Sequence, residues 1–210
     1  FVNGGRISGL NTASLVYNEL YINRGGNEFF RDGSNAGVDD SAYGMGAVAA
    51  DYNADGNTDL YVTNIGPNLL YKNNGDGTFS DASLFVAGDS WSSSSAFCDI
   101  DLDGDLDLYV GNYLDFDMEN PTVCYVGNTE ERLYCDPRKF EGQSDRLYLN
   151  GGAENGWIFS DVTRVMGLEN VTGKELGVVF GDYDQDGDPD LYLANDMTPN
   201  ALFRNEGNRF

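Results

Sequence analysis

Asp182-Tyr183-Asp184-Gln185-Asp186-Gly187-Asp188-Pro189-Asp190 runs directly into the apolar stretch Leu191-Tyr192-Leu193, and two earlier segments have the same form. Asp99-Ile100-Asp101-Leu102-Asp103-Gly104-Asp105-Leu106-Asp107 leads into Leu108-Tyr109-Val110, and Asp51-Tyr52-Asn53-Ala54-Asp55-Gly56-Asn57-Thr58-Asp59 leads into Leu60-Tyr61-Val62. In every copy side-chain oxygens recur at positions one, three, five and nine, with glycine at six and Asn57, Asp105 or Asp188 at seven. Up to five carboxylates within nine residues repel one another, so a folded loop of this kind requires a cation at its centre. Calcium takes about six to eight oxygen ligands in flexible geometry, magnesium keeps its waters, and zinc or copper would want histidine or cysteine. Calcium is the ion these loops suit. Glycine at six supplies the positive φ on which the chain doubles back, and position seven would serve through its backbone carbonyl.

Three calcium sites are therefore expected. They comprise Asp51, Asn53, Asp55, Asn57 and Asp59; Asp99, Asp101, Asp103, Asp105 and Asp107; and Asp182, Asp184, Asp186, Asp188 and Asp190. An EF-hand opens in the same way but needs a glutamate at position twelve and helices on both sides. Position twelve here is Val62, Val110 or Leu193, and the flanks, such as Gly46-Ala47-Val48-Ala49-Ala50 and Leu60-Tyr61-Val62, read as short strands. A single acidic turn could simply be solvated; three in corresponding places call for a common structural purpose.

The flanking sequence repeats with the loops. Each loop-and-strand unit is followed by a hairpin: Asn68-Leu69-Leu70-Tyr71-Lys72-Asn73-Asn74-Gly75 with Phe79-Ser80-Asp81, Asp145-Arg146-Leu147-Tyr148-Leu149-Asn150-Gly151 with Phe159-Ser160-Asp161, and Asn200-Ala201-Leu202-Phe203-Arg204-Asn205 with Arg209-Phe210. Asn18 to Gly26 with Phe29-Phe30-Arg31-Asp32 is a further hairpin of this kind. Phe1-Val2-Asn3 reads as the end of a strand that follows a fourth loop. The loops start 48 residues apart from Asp51 to Asp99 and 83 apart from Asp99 to Asp182, which places an insertion at about Leu114 to Gln143. A period of about 40 to 50 residues with four short strands per unit is that of a β-propeller blade. The expected fold is all-β, a β-propeller of four-stranded antiparallel blades with about three and three-quarter blades present. Residues 1–50 form a blade without its first strand and calcium loop, 51–98 and 99–181 are repeats, the latter carrying the insertion 114–143, and 182–210 is an incomplete repeat.

With 35 acidic and 12 basic residues the net charge is −23, and three calcium ions would bring it to −17, so nucleic acid and anionic lipid would be repelled. The absence of histidine removes the usual general base and the histidine-dependent triads. No apolar run of about 18 residues is present, so no membrane span is expected. Cys124 and Cys135 bracket a short stretch inside the insertion and either close it as a disulfide, which implies an oxidising compartment, or remain two reduced thiols; Cys98 reads as a packed core thiol. Asn170-Val171-Thr172 fits an N-glycosylation acceptor.

The loop, the Asp-Leu-Tyr-Val type of strand, the Asn-x-Leu-Tyr/Phe-x-Asn-x-Gly hairpin and the closing Phe-Ser-Asp together resemble FG-GAP or VCBS repeats, the calcium-bearing blades of integrin α-subunit propellers. The insertion from Cys124 to Cys135, followed by Asp136-Pro137 and Asp145-Arg146-Leu147-Tyr148, is similar to the cartilage acidic protein and UnbV-related (ASPIC/UnbV) branch. That resemblance implies a secreted or surface-attached seven-bladed propeller with calcium in its loops and no established catalytic role. The function expected is a calcium-binding extracellular scaffold for adhesion, with a protein or glycan ligand at the loop face or at the insertion 114–143, and a periplasmic location as the bacterial equivalent. Two alternatives stand beside it. One is a carbohydrate-active lyase or glycosidase using Asp115, Asp117 or Glu119; the other is a structural subunit that self-associates into a surface filament.

Overall fold

The computed structural model describes residues 17–117, 119–207 and 209–210, so the strand end expected at Phe1-Val2-Asn3 lies outside the described residues. Within them the regular structure is short strand, apart from the four-residue helix α1 (Gly33–Ala36) and brief 3-10 turns. A hairpin pairs β1 (Tyr21–Asn23) with β2 (Phe29–Arg31). Four strands then form one antiparallel sheet in sequence order: β3 (Tyr43–Ala50), β4 (Asp59–Ile65), β5 (Leu69–Asn73) and β6 (Phe79–Asp81). The second sheet takes β7 (Ser92–Cys98), β8 (Asp107–Asn112), β11 (Arg146–Asn150) and β12 (Phe159–Asp161). Between its second and third strands lies the insertion, with its own hairpin of β9 (Cys124–Tyr125) and β10 (Arg132–Leu133). The third sheet has β13 (Glu175–Gly181), β14 (Asp190–Asn195) and β15 (Ala201–Phe203).

The all-β, antiparallel expectation is met, while no closed ring forms among the described residues. One strand fails to appear where it was expected. Arg209-Phe210 is not a strand: the Arg209 carbonyl accepts from the Glu206 amide, and the Phe210 amide donates to the Met166 carbonyl, so the chain end turns toward the loop after β12. Cys124 and Cys135 form a disulfide, with Cα atoms 5.2 Å apart. A bridge between Leu114 and Gly142 closes the neck of the segment that carries this hairpin.

Alternation along each middle strand explains how the sheets pack. In β4 and β5, Tyr61 and Leu70 face the second sheet and meet Leu108, Val110 and Tyr148. Their neighbours Val62 and Tyr71 face the other way, onto Ala36 and Val38 beside α1. In the second sheet Tyr109 and Leu147 point onward to Leu191 and Leu193 of the third. Strands buried on both faces therefore read as near-continuous apolar runs. The first strands β3, β7 and β13 lie side by side, each with a bulge near its start. They approach closely: a Cβ on Gly46 would lie 3.0 Å from the Ser93 carbonyl oxygen, so a small residue is needed there.

Asparagines join the sheets at the acidic-loop end. The Asn150 Nδ2 donates to the carbonyls of Leu106 in its own unit (3.1 Å) and Tyr52 in the preceding one (2.9 Å). The Asn205 Nδ2 does the same to Pro189 (3.3 Å) and Ile100 (3.0 Å). Asn73, the equivalent in the first sheet, donates to Thr58 of its own loop. Replacing Asn150 by alanine removes a donor to two carbonyls, each costing roughly 1–3 kcal/mol if left unpaired in the interior. Asn150→Ala should thus lower the urea midpoint of unfolding more than Asn73→Ala, without a change in the m-value.

Candidate metal centres

Each acidic loop connects the first and second strands of its sheet, and the three adopt one backbone course. Position six is left-handed as expected, at Gly56 (φ 87°), Gly104 (φ 97°) and Gly187 (φ 101°). Position four is left-handed too, at Ala54, Leu102 and Gln185, although none is glycine. That conformation is uphill for a side chain, so something in the loop must hold it. The carboxylate at position one supplies much of the restraint. Asp51 accepts the amides of Asp55 (3.0 Å) and Gly56 (2.8 Å), Asp182 those of Asp186 and Gly187 (both 3.1 Å), and Asp99 that of Gly104 (3.1 Å). Position five then accepts the amide of position seven in each copy, at 2.9 to 3.1 Å.

Position nine opens the following strand and is buried in all three copies. One oxygen of Asp59 accepts the Tyr52 amide (3.2 Å) and the other the Asn73 amide (2.7 Å). Asp107 bridges Ile100 and Asn150 (both 2.9 Å), and Asp190 bridges Tyr183 (3.0 Å) and Asn205 (2.8 Å). A single carboxylate thereby fastens the second residue of the loop to the asparagine of the hairpin.

The carboxylates of positions one, three and nine converge. One oxygen from each of Asp99, Asp101 and Asp107 lies within 4.8 Å of the others, and Asp182, Asp184 and Asp190 form the same group. The first loop has an amide, Asn53, at position three and so a smaller negative charge. Burial pushes Asp107 up to about 7, partly offset by its two amide partners and reinforced by Asp101 and Asp103. Burial also raises Asp59, and burial and Asp103 raise Asp101. Carboxylates so close are uncomfortable without a cation.

The donor set fits calcium. It consists of oxygen alone, and both Asp99 Oδ1 and Asp184 Oδ1 are buried with no hydrogen-bond partner. An unpaired buried anion is costly and a metal ion at the convergence would satisfy it. The fifteen residues expected as ligands nevertheless divide. Positions one, three and nine come together, whereas the side chains at position seven lie toward the hairpin glycines, Asn57 against Gly75 and Asp105 against Gly152. Position five carries a neighbouring cation in two of the copies: Lys72 lies 3.4 Å from Asp55, and Arg204 lies 3.0 Å from Asp186 and 2.8 Å from Asp184. Lys72 and Arg204 directly precede the hairpin asparagine; in the second unit that place is Leu149. Asn73, Asn150 and Asn205 recur in the hairpin pattern of the sequence, but that pattern does not show that two of them reach the preceding unit or that a cation stands beside the first and third loops.

Two of the residues considered for catalysis are held locally, Asp117 through its side chain and Asp115 through its backbone. Asp117 accepts the amides of Glu119 (2.8 Å) and Asn120 (3.0 Å), and these bonds hold it below the usual aspartate range, which suits a turn cap better than a proton acceptor. Asp115 is fixed through its backbone to Glu141 at the neck of the insertion. Also in the insertion, Arg138 pairs with Asp136, and Lys139 lies 3.5 Å from the Cys124 sulfur.

Three outcomes follow from this division of roles. Asp107→Asn puts an NH2 against one of two buried amides and should destabilise the protein by roughly 1–3 kcal/mol in EGTA, and by more in calcium, because the same carboxylate belongs to the converging group. Asp101→Asn removes ligand charge and should weaken calcium binding by roughly tenfold or more while leaving the EGTA melting temperature in place. Exposed ion pairs are worth about 0.2–1 kcal/mol, so Arg204→Leu should strengthen calcium binding at the third loop by roughly two- to fivefold in titration calorimetry.

A family model described as FG-GAP-like repeat matches residues 51–110, from the first acidic loop through most of β8. Cartilage acidic protein 1 from Homo sapiens is 29% identical over 204 residues, covering 90% of this chain and 27% of that protein. Cartilage acidic protein 1 from Mus musculus is likewise 29% identical, with the same coverage. The chain spans about a quarter of the length of the curated relatives it matches. The acidic loops, their hairpins and these similarities converge: residues 51–110 match an FG-GAP-like repeat, and the chain is similar to the cartilage acidic proteins.

Proposed function

We propose that the chain is part of a calcium-clamped extracellular β-propeller that acts as a binding scaffold for a protein or glycan ligand. The observation that carries this reading is the convergence of positions one, three and nine beneath a buried, unpartnered carboxylate oxygen in the second and third loops. Calcium bound there would fasten the loop whose ninth residue already grips the hairpin, so the ion stiffens a whole sheet. The three sheets (β3 to β6; β7, β8, β11 and β12; β13 to β15) would be successive blades, each taking its first strand from the end of the repeat before its acidic loop, and the hairpin of β1 and β2 would belong to a partial blade ahead of them.

The open face of the third sheet supports a ring. Tyr61 and Tyr109 are fully buried by the next sheet along, but the equivalent Tyr192 is 39% exposed; Leu70 and Leu147 are buried where Leu202 is 50% exposed. Another sheet of the same kind fits this face. The disulfide supports an oxidising compartment, and no described helix is long and apolar enough to cross a membrane. The ligand surface is assigned to the insertion. Its hairpin and the nearby edges of the first two sheets enclose a groove of about 510 Å³ lined by Trp91, Tyr113, Phe116 and Phe140, with Tyr134 almost wholly exposed at its rim. Inserted loops on a rigid scaffold commonly carry recognition.

An ion that binds only the folded form adds about 2.7 kcal/mol per site at a hundredfold excess over its dissociation constant. Calcium should therefore raise the melting temperature by several degrees per site, and equimolar magnesium by much less. A transition unmoved between EGTA and millimolar calcium would sink the reading. In the same buffers, retention on arrayed glycans and matrix proteins should require calcium and be lost in Tyr134→Ala.

A further inference from the structure

Between the second and third sheets, at the end away from the acidic loops, two carboxyl groups are buried against each other. Glu175 opens β13 with no exposed surface, and Asp145, just before β11, is 1% exposed. Asp145 is well supplied with donors: the Asn112 amide and the Tyr109 hydroxyl each donate to it at 2.7 Å. Neither oxygen of Glu175 has a donor, and the group it meets is Asp145. Two carboxylates are acceptors only, so their contact is repulsive unless one carries a proton and donates it. The fold makes room for that contact. Gly111 of β8 lies beneath Glu175, and a Cβ there would fall 2.2 Å from its Oε1. Ser93 of β7 holds the backbone of the same residue, its hydroxyl donating to the Glu175 carbonyl.

We propose that Glu175 and Asp145 hold one proton between them, an acid–carboxylate clasp that ties the second sheet to the third and opens when the proton is withdrawn. The corresponding link between the first two sheets is neutral: Asn68 Nδ2 donates to Ser92 Oγ at 2.9 Å, and Ser92 donates on to Asn112. Ser92 and Glu175 occupy the same bulged place at the start of their strands, opposite Asn112 and Asn195. The second interface thus uses a titratable pair where the first uses a permanent one.

The charged surroundings favour retention of the proton. Burial, then the negative charge of Asp145, pushes Glu175 far above the ordinary glutamate range. Asp145 is also raised by burial but held lower by Asn112, Tyr109 and the guanidinium of Arg146. From β8, Tyr109 keeps its own proton, itself pushed up by burial and Asp145. The Arg146 guanidinium is turned to the carbonyls of Ser144 and Asp145. On β13's own approach, Lys174 directs its ammonium to the Pro137 carbonyl, and across the strand Asp196 accepts the Tyr113 hydroxyl. No cation replaces the proton among these partners.

The sign of the pH dependence follows. In the unfolded chain glutamate ionises at about 4.3, whereas folded Glu175 stays protonated well above that, so folding takes up a proton. The clasp's stabilisation is complete below the unfolded value and is lost as pH rises toward the folded one, about tenfold in the folding constant per pH unit. Between pH 6.5 and 9 histidine contributes nothing, burial raises the one free thiol, Cys98, to about 11, and Asp107, which burial pushes up to about 7, would be held ionised by the saturating calcium of the test.

The test is unfolding of the whole chain in saturating calcium across pH 6.5 to 9. Proton uptake is measured by calorimetry in buffers of different ionisation enthalpy. The native chain should lose close to a factor of ten in folding constant per pH unit and take up one proton on folding. The double variant Asp145→Asn/Glu175→Ser copies the neutral pair of the first interface, so it should fold, show no slope and take up none. Gly111→Ala should weaken the native chain but be tolerated in that double variant. A native chain without slope or proton uptake would overturn the proposal. So would stability that rises with pH and collapses on chelation, the behaviour of two ionised carboxylates around a buried cation.

Discussion

The structure depends most on the buried aspartate that begins the second strand of each sheet. Asp59, Asp107 and Asp190 each accept one amide from the acidic loop and one from the hairpin asparagine, so loop, strand and hairpin meet at one carboxylate. Hydrogen bonds from neutral amides to an anion are the stronger kind, and they are sheltered here from water. The same group faces the converging oxygens of positions one and three in the second and third loops. A cation held there would be joined to the hairpin through one side chain, which would link metal binding to sheet integrity without any moving part.

Much of this was legible in the sequence. The turn at each acidic loop, the short antiparallel strands and the hairpins after the first two loops were recoverable, because each rests on a local pattern: a glycine at position six, a period of two in the strands, and turn residues between them. What escaped was what local pattern does not encode. Ala54, Leu102 and Gln185 give no hint of left-handed backbone, since it is the Asp51, Asp99 or Asp182 carboxylate reaching back over the loop that imposes it. The terminal strand at Arg209-Phe210 was misplaced because a tertiary bond to Met166 outcompetes pairing with β15. The side chains of Asn57 and Asp105, at position seven, lie toward glycines of the hairpin, a contact between loop and hairpin that the pattern within the loop does not encode.

The two sheet interfaces show how one architecture accommodates different chemistry at equivalent places. At the acidic-loop end both use an asparagine that donates across to the preceding unit, at Tyr52 and at Ile100. At the far end one uses Asn68 and Ser92, the other Asp145 and Glu175. The apolar cores between them are built from equivalent strand positions, with Tyr61 and Leu70 answering to Tyr109 and Leu147. Polar variation is confined to the rims of the interface, where it changes the conditions of association more than its geometry.

The residue before each hairpin asparagine has a wider consequence. Lys72 and Arg204 bring a positive side chain up to the first and third loops, while Leu149 brings none to the second, which also holds five aspartates. Ions arriving from dilute solution would settle first in the middle of the array and only later at its flanks. Rigidity would then spread outward from the centre in steps, giving a graded mechanical response to the salt content of the surroundings in place of an abrupt transition.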